Sequence, residues 1–280
     1  MTAHGAWRHG TEMLTAAGLP ESRREARVLL RAAAGIDPWL DPGAPIDPAA
    51  EACYRGWLVR RASREPHAYI TGSRPFHRVR LCVRPGVLIP RPETELLVDA
   101  ADRLAPLGAR VCDLCTGCGA IAVALAAARS DLRLDATDLS ADALAVAAEN
   151  VNRLGLGDRV RLYQGDLWDA LPVAHVGAYA VCVCNPPYVE PQELAALEPE
   201  VRDYEPRLAL VAERGFREMY RRIAVAAPRW LGVGGWLAAE VGPGQADAVE
   251  ALWVGHGLHD CARLRDVGGC ERVVVGRWPG

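Results

Sequence analysis

Arg110-Val111-Cys112-Asp113-Leu114-Cys115-Thr116-Gly117-Cys118-Gly119 is the stretch whose reading decides the fold. After Arg110, its first half is an apolar run broken only by Asp113, which reads as a buried strand. Its second half is small-residued with two glycines, and an alanine-rich helix follows over residues 120–128. Strand, glycine-bearing turn and helix predict a nucleotide-type loop, where small residues admit a ligand and backbone N–H groups face it. Cys115, Thr116, Gly117, Cys118 and Gly119 are therefore candidate ligand-binding residues. No lysine–hydroxyl pair follows, so the stretch is not a phosphate loop.

The alternation continues beyond that helix. A second strand over 132–137 ends at Asp138, which stands 25 residues after Asp113, a spacing suited to a carboxylate accepting from ribose hydroxyls. Ser140 is the expected N-cap of the next helix, with a Leu144–Ala147–Val151–Leu154 stripe ended by Gly155. A third strand over 161–164 leads to Gly165-Asp166-Leu167-Trp168. There Asp166 is placed to accept from an adenine amino group, and Leu167 or Trp168 to pack on the ring; ordinary core packing explains Trp168 equally well.

A fourth strand over 178–184 runs into Asn185-Pro186-Pro187-Tyr188. Two prolines end the ladder in a rigid turn. Asn185 and the Pro186 carbonyl can then accept the N–H groups of an amide or amine while Tyr188 covers its flat face. A helix over 215–228 follows, with Phe216, Met219, Ile223 and Ala226 on one face. Then come a strand over 236–240, a helix marked by Ala246, Val249, Leu252 and Trp253, and a closing strand pair. Ligand groups at the carboxyl ends of successive strands predict an α/β, doubly wound, mostly parallel sheet. A nicotinamide dehydrogenase shares the first two signals but needs no amide clamp after the fourth strand.

Residues 1–68 read as a small helical recognition domain, with one helix beginning near Glu12 and others over 21–34 and 53–64. Arg23, Arg24, Arg27, Arg60, Arg61 and Arg64 form either a solvated face or a docking surface. A β-hairpin linker over 69–90 is expected, with its break at Arg84-Pro85-Gly86. The catalytic domain spans 91–280. It begins on the stiff Ile89-Pro90-Arg91-Pro92-Glu93-Thr94-Glu95 bridge, where Arg91 and Glu93 are candidate substrate-binding residues.

A net charge of −3 on 280 residues lacks the broad positive field of a duplex-DNA binder. The first ten residues have no apolar core of a signal peptide, and no stretch approaches the ~18 apolar residues of a membrane span. A soluble cytoplasmic protein, monomeric and without membrane attachment, is expected. The nine cysteines are read as neither metal ligands nor disulfides. The C-x2-C-x2-C run at 112–118 lacks its fourth partner, and Cys112, Cys182 and Cys184 fall inside apolar strands. Cys118, in the loop, is the thiol expected to be exposed.

The chain resembles the release-factor glutamine methyltransferases, a family of class I S-adenosylmethionine-dependent enzymes, along nearly its whole length. The resemblance is carried by Glu65-Pro66-His67-Ala68-Tyr69-Ile70, the Pro-Arg-Pro-Glu bridge, Asp113 to Gly119, Asn185-Pro186-Pro187-Tyr188 and Glu205-Pro206-Arg207 with Ala209-Leu210. It implies a seven-stranded methyltransferase sheet. It also implies S-adenosylmethionine bound by Cys115 to Gly119, Asp138, Asp166, Leu167 and Asn185, with S-adenosylhomocysteine as product. Asn185, Pro186, Pro187 and Tyr188 would hold the glutamine of the Gly-Gly-Gln motif of bacterial peptide chain release factors. The chain departs from the pattern at Cys115 and Cys118, where glycine and serine are common, and at 211–215, which lacks a glycine-rich segment. The same clamp would also suit a nucleobase or a small-molecule amide, and a different class of protein, a cofactor-dependent assembly factor without turnover, would keep the loop but need no clamp.

Overall fold

Residues Met1–Gly280 are described in a computed structural model. The chain divides into two units, one formed by Met1–Gly72 with Glu198–Tyr204 and the other by Ser73–Leu197 with Glu205–Gly280.

The first unit is built from α1 (Ala3–Ala16), α2 (Ser22–Ala34), α3 (Pro48–Ala62) and α4 (His67–Thr71). The first helix starts nine residues before Glu12, because the Thr2 side chain accepts from the Gly5 N–H and caps it. Ala3, Ala6, Trp7, Gly10 and Leu14 then share the buried face. At Gly10 an added Cβ would lie 2.0 Å from the Tyr54 hydroxyl, so glycine is what lets α1 approach α3. Leu14, Leu29, Leu30, Tyr54 and Leu58 are fully buried between the helices.

The second unit opens on a two-stranded hairpin, β1 (Ser73–Phe76) and β2 (Val79–Cys82). It turns at His77-Arg78, with His77 at φ +49°, rather than at Arg84-Pro85-Gly86. The segment before it, 67–71, is α4 and not strand. Next come α5 (Glu95–Leu104), β3 (Arg110–Leu114), α6 (Ala120–Ala128), β4 (Arg133–Asp138), α7 (Ala141–Arg153), β5 (Val160–Gln164) and β6 (Tyr179–Cys184). The chain continues through α8 (Pro199–Arg202), which belongs to the first unit, α9 (Arg207–Leu210), α10 (Phe216–Trp230), β7 (Leu231–Glu240), α11 (Ala246–Gly255), β8 (His259–Arg265) and β9 (Glu271–Arg277).

The seven-stranded sheet has the order β5-β4-β3-β6-β7-β9-β8, parallel through β7, with β9 and β8 antiparallel. This is the doubly wound, mostly parallel sheet expected from the alternation. The central β3 and β6 are nearly continuous apolar runs because helices cover both faces. Cys112, Cys182 and Cys184 lie buried within them, and α6 buries seven of its nine residues.

Two helices are rotated from the faces their stripes suggested. In α7 the buried residues are Ala143, Val146, Ala147, Asn150 and Val151, with Leu154 exposed. In α10 they are Tyr220, Ile223, Ala224, Ala227 and Trp230. That helix continues past Pro228 because Trp230 is buried and stacks on Trp168, with centroids 6.3 Å apart and planes 9° apart. Trp168 also donates Nε1–H to the Ile223 carbonyl at 3.0 Å. It is a core residue. No helix of the chain is long and apolar enough to cross a membrane.

Candidate active site

Because β3 is flanked by β4 on one side and β6 on the other, the winding direction reverses between β3 and β6. Crevices form at such switch points, outside the carboxyl ends of the strands. A cleft of about 1010 Å³, open mouth included, lies there, lined by the turns after β3, β4, β5 and β6.

Of the residues singled out in the sequence, Cys115, Thr116, Gly117, Cys118, Asp138, Asp166, Leu167, Asn185 and Pro187 line this cleft. Gly119, Pro186, Tyr188, Arg91 and Glu93 do not. Cys115, Gly117 and Gly119 all have positive φ, at +58°, +58° and +82°. The loop therefore turns sharply, and at Cys115 it does so without a glycine, at a local conformational cost. An added Cβ at Gly117 meets no protein atom within 4 Å, so this backbone faces the open cleft.

The loop's N–H groups are largely engaged within the protein. Thr116 donates to the Thr137 carbonyl at 2.9 Å, Gly117 to Asp138 Oδ2 at 2.8 Å and Gly119 to the Thr116 carbonyl at 2.9 Å. The expected row of free donors is thus mostly used up, and surface shape takes its place. Asp138 also accepts from the Ser140 N–H at 2.8 Å. Burial pushes its carboxyl above the ordinary range, against the opposing effect of the backbone donors of Ser140, Gly117 and Leu139. Each oxygen keeps a lone pair for a ligand hydroxyl.

Below the loop, Asp113 is fully buried and accepts from Thr116 Oγ1 at 2.6 Å and the Ala122 N–H at 3.1 Å. Burial raises its pKa to about 7. Cys118 is buried rather than exposed, 2% accessible, and burial raises its thiol to about 12. It is an unreactive wall residue. Asp166 forms an ion pair with Arg222 at 2.6 Å, while Leu167, at φ +51°, turns a buried side chain to the cleft.

The asparagine turn is held from behind. Asn185 Nδ2 donates to Thr94 Oγ1 at 3.2 Å, and Thr94 donates to Glu240 Oε2 at 2.5 Å. The Tyr188 hydroxyl donates to Glu240 Oε1 at 3.3 Å, and Gln245 Nε2 donates to the Tyr188 carbonyl at 3.0 Å. Burial raises both the Glu240 carboxyl and the Tyr188 phenol. Arg91 is tied to Glu205 at 2.5 Å, and Glu205 Oε2 accepts from the Ile89 N–H at 3.1 Å. Arg91 thereby fastens the 205–212 segment, which supplies Pro206, Leu208 and Ala209 to the cleft.

Sequence reasoning passed over Thr94 and Glu240. Their signal was present: Glu240 is a lone charge closing an apolar run, the same mark that singled out Asp138. No group of histidine, cysteine and acidic side chains is arranged to hold a metal.

Residues 5–72 match the PrmC N-terminal domain family and residues 91–200 the methyltransferase small domain family. The release factor glutamine methyltransferase of Geobacter sulfurreducens is 40% identical over 274 residues, 97% of this chain and 94% of that protein. That of Cereibacter sphaeroides is 43% identical over 282 residues, 100% of this chain and 99% of that protein. Among solved structures, the hMettl16 catalytic domain in complex with the MAT2A 3′UTR hairpin 1 superposes with a TM-score of 0.57. It covers 82% of this chain and 80% of that one at 16% identity, a likeness of fold. With whole-length identity of this order and the loop, cleft and asparagine turn of a methyltransferase in one crevice, the chain belongs to the release factor glutamine methyltransferase family.

Proposed function

We propose that the protein transfers a methyl group from S-adenosylmethionine to the side-chain amide nitrogen of the glutamine in the Gly-Gly-Gln motif of peptide chain release factors. Family membership supports the substrate. The observation that carries the chemistry is the Asn185 amide: its nitrogen is anchored on Thr94, which leaves its oxygen for a ligand in the cleft.

The residues fit the donor. Asp138 would hold the ribose hydroxyls, Leu167 and Asp166 would border the adenine, and the Cys115–Cys118 wall would take the methionine part where Gly117 leaves space. When bound, S-adenosylmethionine supplies an electrophilic methyl group on a sulfonium. A glutamine amide is a weak nucleophile, its lone pair being delocalised into the carbonyl. The protein's task is therefore alignment and stabilisation of positive charge developing on nitrogen. Asn185 Oδ1 and the Pro186 carbonyl accept the two N–H bonds, and Pro187 and Tyr188 set the turn. The methylated nitrogen carries one proton too many and is strongly acidic, so it gives that proton to water and no strong general base is required.

We assign recognition of the folded factor to the helical unit. We place the reaction in the cytoplasm, consistent with nine unpaired cysteines.

The test is single-turnover transfer from labelled donor to a release factor, with the product mapped by mass spectrometry. The methyl is expected on the glutamine side-chain nitrogen. Asn185→Ala should lower the rate about 10²–10⁴-fold while leaving donor affinity intact. A wild-type rate in that variant rules out the clamp, and a methyl found only on nucleic acid or a metabolite rules out the substrate.

A further inference from the structure

Glu240 stands at the carboxyl end of β7, 2% exposed, behind the asparagine turn and outside the cleft lining. Its backbone is fixed on both sides: the buried Tyr220 hydroxyl donates to its carbonyl at 2.6 Å, and the next N–H, of Val241, donates to the Arg272 carbonyl at 2.8 Å. A carboxylate placed so rigidly is costly to bury, and core packing alone would be served as well by an apolar side chain. The mechanism above makes no use of it.

The hydrogen bonds it makes have a direction. Both Glu240 oxygens accept here, Oε1 from the Tyr188 hydroxyl at 3.3 Å and Oε2 from Thr94 at 2.5 Å, so the single proton of the Thr94 hydroxyl points to Glu240. Thr94 Oγ1 then has only lone pairs to offer Asn185. An amide facing lone pairs must present its NH2, as Asn185 Nδ2 does at 3.2 Å. The Asn185 oxygen is thereby turned the other way. With Glu240 replaced by a group that cannot accept, the Thr94 proton is free to point at the asparagine. The amide can then reverse and offer an NH2 to the cleft, the wrong polarity for a substrate N–H.

We propose that Glu240 is a positioning residue that sets the polarity of the Glu240–Thr94–Asn185 chain, so that Asn185 presents an acceptor rather than a donor to the substrate amide. This inference rests on the amide-methylating function proposed above. It concerns orientation, not proton transfer, and it separates the two faces of Asn185: one side is read by the protein, the other by the substrate.

The experiment is a double-mutant cycle on single-turnover transfer to a release factor, with S-adenosylhomocysteine affinity and thermal unfolding measured alongside. Glu240→Met, of similar length but without an acceptor, is expected to lower the rate 10- to 100-fold at unchanged product affinity (about the scale of losing one oriented hydrogen bond). Glu240→Gln, whose carbonyl can still accept from Thr94, should restore most of that rate. Thr94→Val should cost as much as Glu240→Met, and Thr94→Ser should cost little. The double variant of Glu240→Met with Thr94→Val should be no slower than either single change, since both cut one chain. Losses that multiply, or a wild-type rate in Glu240→Met, overturn the inference. Should Glu240→Met not fold, equal rates in Thr94→Val and Thr94→Ser overturn it instead. Absence of glutamine methylation by the unaltered enzyme overturns the substrate reading and this inference together, which distinguishes the two failures.

Discussion

Asp113 shows how one side chain in this molecule trades stability for loop geometry. Its carboxyl is fully buried, with Oδ2 taken by Thr116 and Ala122 and Oδ1 left without a partner. Its folded pKa of about 7 lies above the unfolded value of 3.8. The stability it contributes is therefore fully present below pH 3.8 and lost as pH rises through about 7. The size is on the order of a few kcal/mol. Asp113→Asn keeps an acceptor for Thr116 and Ala122 but cannot ionise. The unfolding midpoint of the variant minus that of the wild type should rise between pH 4 and pH 7 and then level off; a flat or falling difference contradicts the assignment. At the cleft wall, Asp138→Ala should weaken S-adenosylmethionine or S-adenosylhomocysteine by about 1–3 kcal/mol, read by calorimetry. Unchanged affinity would remove the ribose contact. Asp138 was legible because a charge at the end of an apolar strand is conspicuous. That it also holds the Gly117 N–H was not legible, since the bond joins two turns 21 residues apart.

At the scale of elements, the clearest case is α7 and the β1–β2 hairpin. Asn150 is 1% exposed on α7, accepts from the Cys82 N–H at 2.6 Å, and donates to the carbonyls of Cys82 at 3.0 Å and Cys118 at 2.9 Å. One amide thus joins the hairpin's last strand to the loop that walls the cleft. Asn150→Ala leaves three backbone groups to find other partners. It should cost about 2–4 kcal/mol, seen as a lower unfolding midpoint and as faster amide exchange at Cys82. Loss of less than about 0.5 kcal/mol would show that water replaces the amide freely. This residue also explains why the α7 stripe came out rotated. An asparagine in a helix reads as a solvent-facing position, yet here both amide hydrogens and the oxygen are bonded inside, so the buried face turns toward it.

At the scale of the whole molecule, the chain crosses between its units at Glu198–Tyr204. Arg61, 6% exposed, binds Glu25 at 3.1 Å and Glu200 at 2.9 Å, Arg64 binds Glu200 at 2.8 Å, and the Tyr204 hydroxyl donates to the Ser63 carbonyl at 2.5 Å. A segment 139 residues downstream of Arg61 is so fastened to the helical unit. Arg27 is likewise engaged, in two bonds to Asp37 at 2.9 and 2.6 Å. Several of the arginines that read as a solvated or docking face are thus internal ties. Arg61→Ala leaves Glu25 without its guanidinium and Glu200 with Arg64 alone, and should destabilise the helical unit by about 2–3 kcal/mol. Amide exchange over Glu198–Tyr204 should accelerate while that of β3 and β6 stays as it was. Unchanged protection of that segment would mean the ion pairs do not hold it.

What this sequence determined by itself was whatever is local and periodic. The alternation of apolar runs with amphipathic segments specified the parallel sheet, because strands buried on both faces leave an unmistakable composition. Punctuation by Asp138, Asp166 and Asn185 at the strand ends marked the residues that the cleft then collects. What only the tertiary structure decided was the orientation of groups whose partners are remote in the chain: the polarity of the Asn185 amide, set through Thr94 and Glu240, and the ties of Arg91 to Glu205 and Arg61 to Glu200. A hydrogen bond is specified by a few tenths of an ångström and a direction. Both arise only when burial has brought distant segments together and removed the water that would otherwise satisfy each group.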